Sequence, residues 1–226
     1  MNHYKQKAAG AAVLISLLIG GCAVAGGGQD DGYAAMSGEE LAEHLIFEER
    51  GFKLEQLTQE GGTVKDRLIQ DDLQRVCSAV DGNVSSEARS KAMAIAQAQM
   101  EYPAGGIKLG DWRKGNELAR SGYGFRVGHK TDDHTSREPG GNCYACHELD
   151  PDEIAYGTLG PSLKGYGKLR GTGDAMLKYT YEVIYSPHAY FPCTHMPRFG
   201  ANNFLTKEQI GDIMAYLMHP DSPVNK

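Results

Sequence analysis

The amino-acid sequence predicts a mainly α-helical protein. Apolar residues recur three or four positions apart in several segments, which is the spacing of one helix face. Ser37 with Glu40, and Thr206 with Gln209, have the spacing of a capping box at the start of a helix. No segment shows a persuasive alternation of apolar and polar residues, the pattern typical of strands. We therefore expect helices joined by loops, without a sheet.

The N-terminus has the layout of a secretory signal. A basic start is followed by an apolar run from Ala8 to Ile19, which is shorter than the roughly 20 residues that a membrane-spanning helix needs. Residues 1–21 are therefore expected to be a signal peptide, and the mature protein is expected in the bacterial periplasm. Cys22 ends a stretch that resembles a bacterial lipobox, so it could carry a lipid anchor. Ordinary cleavage after residues 23–25 is the alternative.

The chain is acidic, with a formal net charge of −6 over 226 residues. The predicted signal contains Lys5 and Lys7 but no acid, so the mature protein is more acidic still. An acidic protein of this kind is not expected to bind nucleic acid.

The first half of the mature chain divides into a linker and a helical region. Residues 22–35 are rich in glycine, alanine and aspartate and lack apolar periodicity, as expected of a flexible linker. An N-terminal helical extension is predicted over residues 36–107. Its helices begin after Ser37 and extend over Val64–Val80 and Ser86–Met100.

Residues 108–226 are predicted to form a separate domain. A short helix over Asp111–Ala119 precedes a glycine-rich polar stretch. A loop rich in glycine and proline, residues 157–173, is followed by a helix over Asp174–Tyr185. The last helix is amphipathic and begins after Thr206.

A cysteine motif carries the chemistry of this domain. Cys143, Cys146 and His147 have the CxxCH spacing of c-type haem attachment. Two thiols at this spacing can each add to a vinyl group of haem, and the adjacent imidazole can then ligate the iron. A thioredoxin-like dithiol would need a β-α-β context, and a structural zinc site would need a second ligand pair, and the sequence offers neither. We therefore expect one covalently bound haem c.

The segment Gly160–Gly165 reads Gly-Pro-Ser-Leu-Lys-Gly and resembles the loop that follows the haem motif in class I cytochromes c. The resemblance implies a class I cytochrome c fold with an N-terminal helical extension. It implies that the Pro161 carbonyl accepts a hydrogen bond from the ring of His147, a contact that orients the ligand. It also implies that the helices near 111–119 and 206–218 cross.

The same resemblance implies a second axial ligand in a loop before the last helix, where Met196 stands. His195 and Cys193 are alternatives, because imidazole and thiolate also ligate haem iron. Arg198 could contact a haem propionate, and surface charge is the other explanation for it. Three more methionines fall on predicted helices, where methionine usually packs in the core: Met176, Met214 and Met218.

Three motifs in their usual order resemble the SoxX family, the small cytochrome subunits of SoxAX complexes: residues 141–147, 160–167 and 196–200. The resemblance implies a heterodimer with a SoxA-like cytochrome, in which thiosulfate is oxidatively coupled to a cysteine of a SoxYZ-like carrier. This chain would then accept electrons and pass them to a soluble cytochrome. No acid, base or nucleophile in the chain stands out as catalytic, so the L-cysteine S-thiosulfotransferase reaction would belong to the partner. A free-standing periplasmic electron shuttle is the alternative.

Two cysteines remain, Cys77 and Cys193. In an oxidising compartment they could form a disulfide that joins the extension to the loop bearing Met196. Alternatively, Cys77 is a small buried residue and Cys193 a separate thiol. Four histidines receive no role, because a lone loop histidine is usually solvated: His129, His134, His188 and His219.

Overall fold

The computed structural model describes residues 32–48, 52–58, 61–78, 83–125 and 137–226. The predicted signal peptide and Cys22 lie outside the described residues, as does most of the predicted linker. The described residues belong to two compact units, which are divided between Ala42 and Glu43. The predicted boundary between the extension and the cytochrome domain falls within the second unit and stays a prediction.

In the first unit, the described residues contain one 3₁₀ turn, Tyr33–Ala35, and the beginning of helix α1, Gly38–Glu43. The Ser37 N–H donates to Glu40 Oε2 at 2.7 Å, and the Glu40 N–H donates to Ser37 Oγ at 3.2 Å. The capping box predicted at this helix start is therefore present.

The second unit begins with a π-helical turn, His44–Glu48, and three helices of the extension: α2 (Val64–Leu68), α3 (Asp72–Ser78) and α4 (Ser86–Ala98). The prediction of a single helix over 64–80 was wrong, because the chain forms the two helices α2 and α3 there. Ile69 is extended, with φ −75° and ψ 124°. Asp71 and Gln74 then exchange hydrogen bonds between backbone and side chain at 2.9 and 2.8 Å, which starts a new helix. The helical spacing of the apolar residues did not reveal this break, because side-chain hydrogen bonds to the backbone at Asp71 and Gln74 compete with continuation of the helix.

Helix α4 packs the extension against the rest of the unit. Its Ala96 is fully buried and forms a small core with Leu73 of α3 and Ala189. Ala189 belongs to a 3₁₀ turn, Pro187–Ala189, that follows the long helix of the second half. Burial of these apolar side chains holds α3 and α4 on this turn.

Helices α5 (Trp112–Arg120) and α8 (Lys207–Met218) cross in close contact. A Cβ on Gly115 would lie 2.0 Å from the backbone oxygen of Asp212 and 2.9 Å from Cβ of Tyr216. Only glycine therefore fits at the crossing, because any larger residue would push the helix backbones apart.

The remaining helices are α6 (Tyr166–Arg170) and α7 (Asp174–Tyr185). Helix α7 has the predicted bounds, whereas α6 lies inside the stretch predicted to be a loop. The five residues of α6 stand between Gly165 and Gly171, whose φ angles are +68° and +74°. Such a short helix between two left-handed glycines leaves little periodic signal in the sequence.

A buried carboxylate joins the extension to α7. Glu182 is only 5% exposed and accepts hydrogen bonds from the hydroxyls of Tyr102 and Tyr190. Lys178 Nζ lies 2.7 Å from the same carboxylate. Burial opposes ionisation of Glu182, but the hydrogen bonds from these three donors outweigh it and lower its pKa. The ionised carboxylate therefore links Tyr102 of the extension to α7.

The main core lies between α5, α7 and α8, and it includes Leu118, Tyr181, Tyr185, Ile213, Met214 and Tyr216. Within the described residues the β structure is limited to one isolated bridge, Leu57 to Thr63. No helix in this part of the chain is long and apolar enough to cross a membrane. The prediction of a mainly α-helical fold is confirmed.

Candidate functional site

The CxxCH segment forms a single 3₁₀ turn, Cys143–Ala145, which follows Asn142 in a left-handed conformation with φ +47°. The N–H groups of Cys146 and His147 both donate to the carbonyl oxygen of Cys143, at 3.1 and 2.9 Å. The turn therefore keeps the two cysteines and the histidine close together. Asparagine is one of the few residues that adopt the left-handed conformation readily.

Both cysteines of the motif are free thiols and are partly buried. Burial raises the pKa of the Cys143 thiol to about 12, so this thiol is neutral at physiological pH. Because the two sulfurs are not bonded to each other, both are available for attachment to haem. The side chain of Tyr144, between them, points into the core, where its hydroxyl lies 2.7 Å from that of Tyr216 on α8. The crossing helices thus anchor the attachment turn.

The ring of His147 is held by the loop that follows it. Its Nδ1 lies 2.7 Å from the carbonyl oxygen of Pro161. A carbonyl oxygen only accepts, so Nδ1 carries the proton and Nε2 is left with a lone pair for a metal ion. The Pro161 carbonyl thus lies where the class I resemblance implies it.

Gly160 allows the loop to approach this ring closely. A Cβ at Gly160 would lie between 2.2 and 2.8 Å from three atoms of the His147 ring. The Gly160 N–H also donates to the carbonyl oxygen of Cys146 at 2.8 Å, which fixes the loop alongside the attachment turn. Alanine at this position would displace the imidazole.

A cavity of about 470 Å³ lies beside the attachment turn. Gly140, Gly141 and Asn142, which precede Cys143, line one part of it, and Pro197 to Phe199, which follow Met196, line another. Its volume is within the range of cofactor pockets. Glycines that leave room and aromatic rings that supply apolar walls fit the flat, largely apolar macrocycle of haem.

Met196 lies in the loop before α8, is partly buried, and packs against the main core. Its N–H lies 3.4 Å from Thr194 Oγ1. Of the alternative ligands, Cys193 is bonded to Cys77 in a disulfide with a Cα–Cα distance of 5.3 Å. The thiolate that would ligate iron is therefore not present at Cys193. The disulfide left open by the sequence is formed.

The other candidate ligands have different surroundings. His195 is exposed, whereas Met214 and Met218 are buried on α8. Met176 is on α7, with its sulfur 3.7 Å from the Tyr166 hydroxyl. In the described part of the chain, no group of three or more His, Cys, Asp or Glu side chains could hold a metal ion.

Arg198 is almost completely buried, at 6% exposure, and its Nη2 lies 2.6 Å from Oδ2 of Asp71. Burial opposes ionisation of Asp71, but hydrogen bonds from the Gln74 N–H and from Arg198 outweigh it and lower the pKa of this carboxyl. Arg198 also lines the cavity. The guanidinium has five N–H donors, so the contact with Asp71 leaves others for a haem propionate.

The expectation that His188 is a solvated loop histidine was wrong. The structure buries it, at 7% exposure, and its Nδ1 accepts the N–H of Cys193 at 2.9 Å. Burial, and then the nearby charge of Arg198, lower the pKa of His188, so the neutral ring is favoured. His188 therefore supports the backbone of the loop that leads to Met196.

Two comparisons with known proteins bear on this site. Residues 140–220 match the family described as "Cytochrome c". The chain is also similar to an "Uncharacterized lipoprotein" of Aquifex aeolicus (strain VF5), with 43% identity over 170 residues, which cover 72% of this chain and 76% of that protein. The matched cytochrome c region contains the attachment turn, the Pro161 loop and Met196.

Proposed function

We propose that this chain is an exported electron-transfer cytochrome with one haem c. It belongs to the same family as the Aquifex aeolicus lipoprotein and carries a class I cytochrome c domain. Cys143 and Cys146 would hold the haem covalently, and His147 and Met196 would be its axial ligands. The observation that carries the proposal is the His147 Nδ1 to Pro161 oxygen distance of 2.7 Å, which leaves Nε2 for the iron.

The protein residues bind and orient the cofactor. Bound haem c supplies a one-electron iron couple. The Pro161 carbonyl fixes the tautomer and the orientation of the His147 ring, which would tune the potential of the couple. The apolar walls of the cavity, including Phe199, would reduce the contact of the bound centre with water and so favour its less charged state. With methionine as the second ligand, the potential would be higher than with two histidines.

The assignment of Met196 has a direct spectroscopic test. We expect the oxidised wild-type protein to show the methionine-to-iron charge-transfer absorption, and we expect Met196→Ala to lose it. Met176→Leu is the matched control and should keep the band, because Met176 is on α7 beneath the Tyr166 hydroxyl. A wild-type spectrum without the band, or a Met196→Ala spectrum that retains it, would show that another residue ligates the iron.

Within this function, we propose the narrower role of a SoxX-like subunit. It would receive electrons from a SoxA-like cytochrome that couples thiosulfate to a SoxYZ-like carrier, and pass them to a soluble cytochrome. The motif order at 141–147, 160–167 and 196–200 supports it. Ile154 and Leu159, which follow the attachment turn and are 91% and 68% exposed, are the apolar side chains near the turn that a permanent partner would cover.

The subunit role is tested by purification from the native host. We expect a second c-type cytochrome in equal amount, and we expect Ile154→Ser with Leu159→Ser to weaken that association. Leu57→Ser is the control, because Leu57 is similarly exposed, at 72%, but belongs to the extension. A monomer that exchanges electrons with several unrelated acceptors would favour the free-standing shuttle instead.

We also propose that the mature protein is in the periplasm and is anchored through a lipid on Cys22. The lipobox-like sequence and the lipoprotein relative support this proposal. Mass spectrometry of the mature N-terminus should find a lipid-modified cysteine, and Cys22→Ala should release the protein from membranes. An unmodified N-terminus after residue 25 would contradict the anchor but not the export.

A further inference from the structure

One helix of the extension is joined to the loop of Met196 on both sides of that residue. On the N-terminal side, Cys77 near the end of α3 is bonded to Cys193. On the C-terminal side, Asp71 at the start of α3 pairs with Arg198 at 2.6 Å. The two attachments lie three residues before and two residues after Met196.

Helix α3 is itself firmly held, so it can act as a support. Its start is fixed by the reciprocal hydrogen bonds between Asp71 and Gln74, at 2.9 and 2.8 Å. Its Leu73 is 1% exposed and packs with Ala96 and Ala189 in the small core. Leu73 and Cys77 are four residues apart and therefore lie on the same face of the helix. The face that anchors α3 is also the face that carries the disulfide.

The loop has weak support of its own. Cys193 has a φ of +59°, in the left-handed region that non-glycine residues rarely adopt. The Thr194 N–H donates to the Phe191 oxygen at 3.2 Å, and the Met196 N–H to Thr194 Oγ1 at 3.4 Å, both long contacts. The shorter contacts of the loop, from the Cys193 N–H and from Arg198, reach outside it. Its conformation therefore depends on the groups that surround it.

We propose that α3 is a positioning element for the axial ligand: Asp71 and Cys77 hold the loop on both sides of Met196 and so keep its sulfur on the haem iron. This inference rests on the proposed function, because it assumes that Met196 is the ligand. It gives the extension a role in setting the redox properties of the centre. Asp71 and Cys77 do not touch the cofactor and act through the loop.

Two variants of the haem-loaded protein remove the two attachments separately. Asp71→Asn keeps the helix cap, because asparagine is as good a cap as aspartate, but it removes the negative partner of Arg198. Cys77→Ser with Cys193→Ser removes the disulfide. Glu101→Gln is the matched control: it breaks the ion pair of Glu101 with Lys207, at 2.8 Å, which also links the extension to the body but lies on α8.

The readout is the fraction of protein in which Met196 has left the iron. Carbon monoxide binds ferrous haem only at a free coordination position, so its binding rate reports loop opening. We expect both variants to bind carbon monoxide about tenfold faster than wild type, a change that corresponds to about 1.4 kcal/mol in the opening equilibrium. The methionine charge-transfer band should weaken and the reduction potential should fall, while Glu101→Gln should match wild type.

Equal carbon monoxide rates and equal bands in wild type and both variants would overturn the inference. If the disulfide variant does not fold, reducing and alkylating the bridge in folded wild-type protein, followed by reoxidation of the iron, gives the same comparison. Met196→Ala distinguishes a failure of the ligand assignment from a failure of the positioning role of α3. If it keeps the band, the ligand assignment fails; if it loses the band while the α3 variants behave as wild type, only the positioning role fails.

Discussion

Replacing Gly115 by alanine would test the helix crossing on which the attachment turn rests. The added Cβ would lie 2.0 Å from the Asp212 oxygen and 2.5 Å from its carbonyl carbon. Non-bonded heavy atoms prefer a separation of about 3.5 Å, so the backbones must separate by about 1.5 Å. Overpacking of this kind costs about 1–3 kcal/mol. The cost here should be at the upper end of this range, because the added Cβ meets backbone atoms, which move less easily than the end of a side chain. The better helix propensity of alanine offsets about 1 kcal/mol.

The expected result is therefore a free energy of unfolding about 2 kcal/mol lower than in wild type, or a Tm lower by about 4–8 °C. Urea unfolding of the oxidised, haem-loaded protein, followed by far-ultraviolet circular dichroism, measures it. Gly105→Ala is the control, because a Cβ there would meet only Lys108 Nζ at 3.9 Å. Its stability should stay within about 0.5 kcal/mol of wild type. Equal stability of the two variants would refute the close crossing.

Three further predictions concern contacts that hold the second unit together. The disulfide joins two residues that are 116 positions apart in the sequence. Cys77→Ser with Cys193→Ser removes this constraint on the unfolded chain and should lower the free energy of unfolding, measured in urea titrations, by up to about 5 kcal/mol. Glu182→Gln should cost about 2 kcal/mol near neutral pH. Because the folded pKa of Glu182 is lowered from 4.5, its contribution is present above that pH and lost as the pH falls through the folded pKa. As the pH falls, the free energy of unfolding of Glu182→Gln should therefore decrease less steeply than that of wild type. An equally steep decrease would show that Glu182 is not ionised in the folded protein. Tyr144→Phe leaves the buried Tyr216 hydroxyl without its partner at 2.7 Å and should lower the free energy of unfolding, measured by thermal unfolding, by about 1–2 kcal/mol. Unchanged stability would show that the Tyr216 hydroxyl finds another hydrogen-bond partner.

Local sequence signals predicted the features that depend on neighbours along the chain. The caps at Ser37 and Thr206 pair residues three positions apart, and both are present. The bounds of α7 follow from its own periodicity and composition. The break between α2 and α3 was missed, although its signal was local too: Asp71 and Gln74 have capping-box spacing, and the apolar residues around them hid it.

By itself, the sequence determined the mainly α-helical class and the attachment motif, because helix periodicity and the CxxCH spacing are encoded within a few neighbouring residues. Only the tertiary structure decided which distant groups meet. It paired Arg198 with Asp71, 127 positions away, it chose the Cys77–Cys193 disulfide from the two open alternatives, and it buried His188. These outcomes depend on how α3 and α4 pack on the 3₁₀ turn at 187–189. Such packing is set by the shape and burial of the whole unit, for which no short stretch of sequence carries a signal.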